Sequence, residues 1–301
     1  MASKTKIDWC DSTWNPVTGC LHGCEYCYAR KIAERFGGCY RFDLPPDKKW
    51  REGRYDVDKN LIGDYKRHSD GSLHVLDEPE RNYSKLPYEP GDKGEIAPYP
   101  YRFDPTFHRY KLDEPQKWKK PKTIFVCSMA DLFGEWVPDE WIKEVFKACD
   151  AAPQHRYMFL TKAPARYEKI SPLMPSWEEM YLEKSRPVML FGASATDDAM
   201  MADAYKSDAE WVSVEPILEP IEPEWFISAS GSNGDYSTFR RWKWVVIGAA
   251  TGNSKHKTVP KREWVEEIAK VCKEYGTPVF MKESLRDLMQ DNFRQEFPWE
   301  V

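Results

Sequence analysis

Cys20-Leu21-His22-Gly23-Cys24-Glu25-Tyr26-Cys27 is the stretch on which the reading of this chain turns. Three cysteines fall at spacings of four and three residues, inside the first tenth of the protein. A compact loop of that length can turn three thiolates toward one centre. Soft thiolates suit iron–sulfur clusters, and three ligands on a four-iron cubane leave one iron open. The competing chemistry is a structural zinc site completed by a fourth ligand, for which Cys10, Cys39 or His22 are the candidates. Zinc ligands usually come as two pairs separated by a spacer, whereas this triplet is asymmetric and carries an aromatic, Tyr26, just before its last cysteine.

Working outward, Ser12–Asn15 reads as a first strand broken by Pro16 and Gly19, and Tyr28–Phe36 as a helix stopped by Gly37-Gly38. Tyr28, Ile32 and Phe36 recur at four-residue steps. The order is therefore strand, cysteine loop, helix. Residues 38–100 are rich in Asp, Lys, Tyr, Pro and Gly with weak periodicity, and read as an irregular insertion or lid after the first helix. From residue 100 the pattern becomes regular. Strands are expected at 123–129, 156–162, 188–194, 211–215, 242–248 and 278–282, with helices at 138–149, 165–170, 197–204 and 261–275. Strands that alternate with helices imply a parallel sheet with right-handed crossovers. The expected fold is α/β: a single domain over 1–301 forming a partial or near-complete parallel (β/α) TIM-type barrel of six core strands plus one.

Polar residues recur where these strands end: Asn15, Ser128, Asp131, Thr161, Lys162, Ser194, Thr196, Ser213, Glu215, Thr251, Asn253, Lys282 and Glu283. In a barrel they would converge on one mouth beside the cysteines. Each alone is equally well explained as a helix cap. Glu215 and Lys282 stand out because each ends an apolar strand, where a lone charge is costly. Either they meet a ligand or they pair with each other. Gly248-Ala-Ala-Thr-Gly252 offers a small-residue turn that a ligand can approach, without the pattern of a phosphate-binding loop. Cys127, Cys149 and Cys272 sit in apolar strand or helix patterns and read as core.

The totals set bounds. The 301 residues are 41% hydrophobic and 31% charged, which describes a folded globular chain. Eight cysteines in a chain this long do not make a disulfide scaffold. No apolar run is long enough to span a bilayer, and Met1–Asp8 lacks the apolar core of a secretion signal, so a cytoplasmic, membrane-free protein is expected. The net charge of −5 gives no global bias toward nucleic acid. Two local basic runs, 117–122 and 240–244, are interleaved with tryptophan and are candidates for phosphate contact or simply solvated faces.

The cysteine spacing with Tyr26 before the last thiol resembles the loop with which radical S-adenosylmethionine (SAM) enzymes hold a [4Fe-4S] cluster. In that superfamily the open iron chelates SAM, and one electron cleaves it to a 5′-deoxyadenosyl radical. Further stretches carry a narrower resemblance. Trp14-Asn-Pro-Val-Thr-Gly-Cys20, Cys24-Glu-Tyr-Cys27-Tyr-Ala, Trp118-Lys-Lys-Pro, Ser128-Met-Ala-Asp-Leu-Phe133, Leu160-Thr-Lys162, Ser213-Val-Glu-Pro216 and Val245-Val-Ile-Gly together resemble a phage-associated radical-SAM-like family of unknown function, more distantly similar to spore photoproduct lyase. The resemblance implies metal ligation by Cys20, Cys24 and Cys27. It makes Tyr26, Ser128, Asp131, Ser194, Glu215 and Lys282 candidate SAM contacts. It implies an external electron donor of flavodoxin or ferredoxin type, and it supplies no substrate; a nucleic acid or nucleotide is a guess by analogy. The competing readings are a zinc-stabilised nucleic-acid-binding module and an iron–sulfur electron-transfer or sensing protein without radical chemistry.

Overall fold

A computed structural model describes residues 5–38, 73–82, 94–173, 186–227, 241–250 and 260–300. In chain order the strands are β1 (Ser12–Trp14), β2 (Val17–Thr18), β3 (His74–Leu76), β4 (Arg81–Asn82), β5 (Glu95–Ile96), β6 (Thr106–His108), β7 (Thr123–Val126), β8 (Arg156–Thr161), β9 (Val188–Ala195), β10 (Trp211–Val214), β11 (Trp244–Ile247) and β12 (Val279–Met281). The helices are α1 (Tyr28–Phe36), α2 (Asp139–Asp150), α3 (Arg166–Ile170), α4 (Asp198–Lys206), α5 (Arg262–Glu274) and α6 (Arg286–Met289).

Seven of the strands form one open sheet in the order β1-β7-β8-β9-β10-β11-β12. Every pairing from β7 to β12 is parallel, with register partners such as Ile124↔Tyr157, Trp211↔Gly192 and Val246↔Phe280. The result is a parallel α/β half-barrel sheet, and all seven strands expected from the sequence are present. Such strands are covered on both faces and so read as near-continuous apolar runs, as Thr123–Val126 and Trp244–Ile247 do.

Two compact units divide the chain: Met1–Thr13 with Trp118–Val126 and Phe133–Val301, and Trp14–Lys117 with Cys127–Leu132. In the larger unit, each of β7 to β12 contributes to a core of Phe125, Met158, Leu190, Trp211, Trp244, Val246 and Phe280. Trp9 completes it, meeting Trp211 and Trp244 edge-on at 5.6 and 5.9 Å. The opposite face of the sheet carries a second aromatic layer, in which Phe159 and Phe191 stack at 5.1 Å beneath Phe146 of α2 and Tyr167 of α3. On α2, Trp141, Val145, Ala148 and Cys149 are buried. On α5, Val265, Ile268, Ala269 and Cys272 are buried, while Trp264 and Val271 are half-buried. Cys127, Cys149 and Cys272 are all core, and burial pushes the Cys127 and Cys272 thiols up to about 12. No disulfide forms among the described cysteines, and no helix among the described residues is long and apolar enough to cross a membrane.

In the smaller unit, β2, β6 and β3 make a three-stranded sheet, antiparallel at Val17↔Phe107 and parallel at Val75↔Phe107. Of the stretch expected to be an irregular insertion, residues 73–82 and 94–100 hold the short strands β3, β4 and β5, the last two paired antiparallel. Its remainder, with Cys39, lies outside the described residues. The α1 periodicity located the helix but not its buried side. Ala29 and Ala33 face Phe103 and Met129, whereas Tyr28, Ile32 and Phe36 are exposed.

His108 is fully buried at the end of β6, with Nε2 2.8 Å from Thr18 Oγ1. Burial, aided by the Lys111 ammonium, pushes its pKa down to about 3. The unfolded chain therefore binds this proton near pH 6.5 and the folded chain does not. The associated stability is present above about pH 6.5 and is lost as the pH falls toward about 3, by up to about 1.4 kcal/mol per pH unit. Urea unfolding across that range should show this slope, and His108→Gln should flatten it; an unchanged slope in the variant would assign the acid sensitivity elsewhere.

Candidate metal centre and strand-end residues

The cysteine loop is built on the end of β2. Gly19 has a φ of +86°, its amide donates to the Met129 carbonyl at 2.9 Å, and a Cβ there would overlap the Asp104 carbonyl. Only glycine meets both demands. Cys20 N–H donates to the Phe103 carbonyl at 3.2 Å, and Arg30 Nη2 donates to the Cys20 carbonyl at 3.2 Å with its guanidinium 4.7 Å above the Phe103 ring. The loop then turns through Gly23, at φ +72°, and the Cys27 amide donates to the Cys24 carbonyl at 3.2 Å. Cys27 is the N-cap of α1, and its Sγ accepts the Arg30 amide at 3.3 Å.

Cys20 and Cys27 lie against the apolar cluster of Ala29, Ala33, Phe103 and Met129, while Cys24 is half-buried. Burial pushes the Cys20 thiol up to about 12; the His22 amide offsets part of this, and the Asp131 carboxylate and the Cys24 and Cys27 thiols add to it. Cys20 is therefore protonated at neutral pH until a metal displaces the proton. These residues fit a three-thiolate cluster. Cys24 and Cys27 are close enough to Cys20 to raise its pKa, and an amide already donates to one sulfur, the contact that tunes iron–sulfur centres. Among the described residues, no three His, Cys, Asp or Glu side chains gather as ligands of a single metal ion.

The sequence places His22 and Asp131 in different roles, one as a candidate fourth zinc ligand and the other as a candidate SAM contact. The structure joins them, with His22 Nε2 2.7 Å from Asp131 Oδ2 and Asp131 buried. Ser128 is similarly engaged within the fold: its hydroxyl donates to Asn15 Oδ1 at 3.1 Å, and its carbonyl accepts the Tyr28 hydroxyl at 2.6 Å. Asn15 Oδ1 also accepts the Met129 amide at 3.0 Å, so it stitches the turn after β7 to the end of β1. Tyr26 is half-buried in the turn before Cys27. Sequence reasoning missed Arg30 and the role of Asn15; their only signals were a cation three residues after a cysteine and a polar residue before a proline.

In the larger unit, Glu215 and Lys282 form an ion pair, half-buried, beyond β10 and β12. A Cβ on Gly248 would stand 3.0 Å from both Glu215 Cγ and Lys282 Cδ, so the turn after β11 packs on the stems of the pair. Ser194 and Ser213 are register partners on β9 and β10 and are both buried. Thr196 is drawn to Met200 Sδ at 3.3 Å, and Asp197 caps α4 through the Met200 amide at 2.8 Å. Thr161 Oγ1 accepts the Ala163 amide at 2.9 Å, a turn contact within the loop and not a helix cap, since α3 begins at Arg166 without a side-chain cap. Thr251 and Asn253 lie outside the described residues. Cys10, one of the fourth-ligand candidates, sits half-buried with its thiol pushed up to about 12 by burial.

The basic runs divide. The Arg241 guanidinium donates to the carbonyls of Ala204, Tyr205, Ser207 and Ala209 and so closes the end of α4, and Lys243 pairs with Glu210 at 2.7 Å. That run serves the fold. In the other, Lys117 pairs with Asp113, Lys122 donates to Ser12, and Lys119 and Lys120 stay exposed.

Residues 4–69 and 91–292 match a single family, described as a protein of unknown function, DUF5131. The chain belongs to the DUF5131 family. No curated protein matches this DUF5131 chain. Among solved structures, its fold is similar to spore photoproduct lyase complexed with dinucleoside spore photoproduct, at 10% identity and TM-score 0.44 over 94% of this chain and 79% of that one. A mutant of the same lyase with bound AdoMet and dinucleoside spore photoproduct matches at 11% identity and TM-score 0.43, over 93% and 78%.

Proposed function

We propose that this chain is a radical SAM enzyme in which Cys20, Cys24 and Cys27 hold a [4Fe-4S] cluster. The observation that carries the reading is the cysteine loop itself: three thiols on one turn, with the Arg30 amide donating to Cys27 Sγ. When bound, the cluster and SAM would supply one-electron reductive cleavage of SAM to methionine and a 5′-deoxyadenosyl radical able to take hydrogen from a substrate. The chain's own residues hold and shape the site. Gly19 and Arg30 fix the path of the loop through the backbone of Asp104, Phe103 and Cys20. The His22–Asp131 link holds the centre of the loop to the turn after β7.

SAM recognition is assigned to Tyr26, Ser128, Asp131, Ser194, Glu215 and Lys282. A salt-bridged Glu215 and Lys282 provide one site for the ammonium and one for the carboxylate of an amino acid, and the pair must open to use them. The substrate is a nucleic acid or nucleotide in this reading, with an external one-electron donor.

Anaerobically reconstituted protein incubated with SAM and a low-potential reductant should release 5′-deoxyadenosine in proportion to its cluster content. Full cluster loading with no 5′-deoxyadenosine, with or without oligonucleotide, would instead favour an electron-transfer or sensing role.

A further inference from the structure

We propose that Asp131 is a positioning residue for the metal centre: its carboxylate, held by His22 beside Cys20, keeps the reduction potential of the cluster low. The inference rests on the cluster reading above. It concerns the centre before SAM arrives, and so stands apart from the SAM contact assigned to the same residue.

The backbone brings Asp131 to the cysteine loop. Gly19 and Ala130 form an isolated parallel bridge, and the Gly19 amide donates to the Met129 carbonyl at 2.9 Å. The next residue is Cys20 on one segment and Asp131 on the other. The turn that carries Asp131 is fixed at its start, where the Ala130 amide donates to the Cys127 carbonyl at 2.9 Å and Met129 packs with Cys20 and Cys27. No helix starts at Asp131, since α2 begins at Asp139, so this carboxylate is not a helix cap. Its side chain is 7% exposed, and Oδ2 lies 2.7 Å from His22 Nε2. A carboxylate accepts, so Nε2 donates, and the ring ties the charge to the middle of the loop between Cys20 and Cys24.

The sign of the effect follows from charge. Reduction adds an electron to a centre already bound by thiolates, and a buried negative charge beside it opposes that addition. The Cys20 thiol feels the same field, since Asp131 disfavours its ionised form. Two amides pull the other way: that of His22 favours the Cys20 thiolate, and that of Arg30 donates to Cys27 Sγ. These are partial charges set against the full charge of Asp131. A sulfonium is a poor electron acceptor, so its reductive cleavage needs a strongly reducing cluster. A carboxylate that resists reduction makes the reduced centre a stronger donor. Groups outside the ligand set tune metal sites in this way without touching the metal.

The test uses full-length protein reconstituted without oxygen and with SAM left out. The midpoint potential of the cluster is read by EPR-monitored redox titration at one fixed pH. Asp131→Asn keeps the shape and an accepting oxygen and removes the charge. Its reduction equilibrium should move toward the reduced form by about tenfold, a midpoint 59 mV higher for a one-electron couple. His22→Ala removes the grip and keeps the charge, and should not reproduce that rise. An unchanged potential in Asp131→Asn, at the iron and sulfide content of the parent, would overturn the inference. So would equal rises in both variants with equal losses of urea stability, which would make the pair a clamp on the loop and nothing more. Loss of iron from Asp131→Asn would also overturn it, since that marks a residue needed to hold the cluster rather than to tune it. A parent protein that loads no iron fails at the cluster reading and takes this inference with it, and its iron content tells the two failures apart.

Discussion

Cys24→Ala should yield a protein that purifies without colour under anaerobic conditions and releases no 5′-deoxyadenosine above background. Cys24 is half-buried and outside the apolar cluster that holds Cys20 and Cys27, so its loss should remove a ligand without disturbing the packing of Ala29, Ala33, Phe103 and Met129. Loss of groups that merely orient ligands costs roughly 10–100-fold in metal affinity or activity, and loss of a direct ligand should exceed about 100-fold. Cys10→Ser is the informative companion. Cys10 is a half-buried thiol held above the usual range by burial, and it was a candidate fourth ligand for zinc. The three-thiolate account expects Cys10→Ser to keep its iron. Equal loss of metal in both variants would point to a four-ligand site.

The second large effect is at Gly19, a residue that touches no metal in any reading. Gly19→Ala meets two obstacles: a left-handed backbone, which costs a non-glycine residue about 1–3 kcal/mol, and overlap of the new methyl with the Asp104 carbonyl, which adds about 1–3 kcal/mol of overpacking. The backbone must shift, and Cys20 is the next residue. Lower stability to urea and a loss of iron per chain are both expected. Gly23→Ala separates the causes. Gly23 shares the positive φ, yet a Cβ there meets nothing within 4 Å, so this variant should pay only the backbone cost and load iron normally. Normal iron in Gly19→Ala would mean that the loop does not depend on this close approach.

These particulars show where the sequence was legible. The seven strands of the large sheet were readable because parallel strands buried on both faces leave unbroken apolar runs, and the α2 face was readable because tryptophan, valine and cysteine recur at helical spacing. The α1 face was not. There the burial is carried by two alanines that packing favours for their size, while the periodic large residues face out, and hydrophobic spacing alone does not say which side is buried. The short strands β2, β3 and β6 were missed because two or three residues carry no period. At the site, the three cysteines announced themselves by spacing. The contacts that hold them did not: Gly19 against Asp104, Arg30 to the Cys20 carbonyl and His22 to Asp131 join residues distant in sequence or engage backbone, which a linear pattern cannot show. Glu215 and Lys282 were recognisable as costly charges, and of the two outcomes foreseen for them the structure shows the pair with each other.

The account stands on the element that Cys20, Cys24 and Cys27 hold. Quantifying iron, acid-labile sulfide and zinc in protein purified and reconstituted without oxygen tests it most directly. The account predicts close to four irons and four sulfides per chain, with a visible absorption band that bleaches on reduction. One zinc per chain with no sulfide would contradict it.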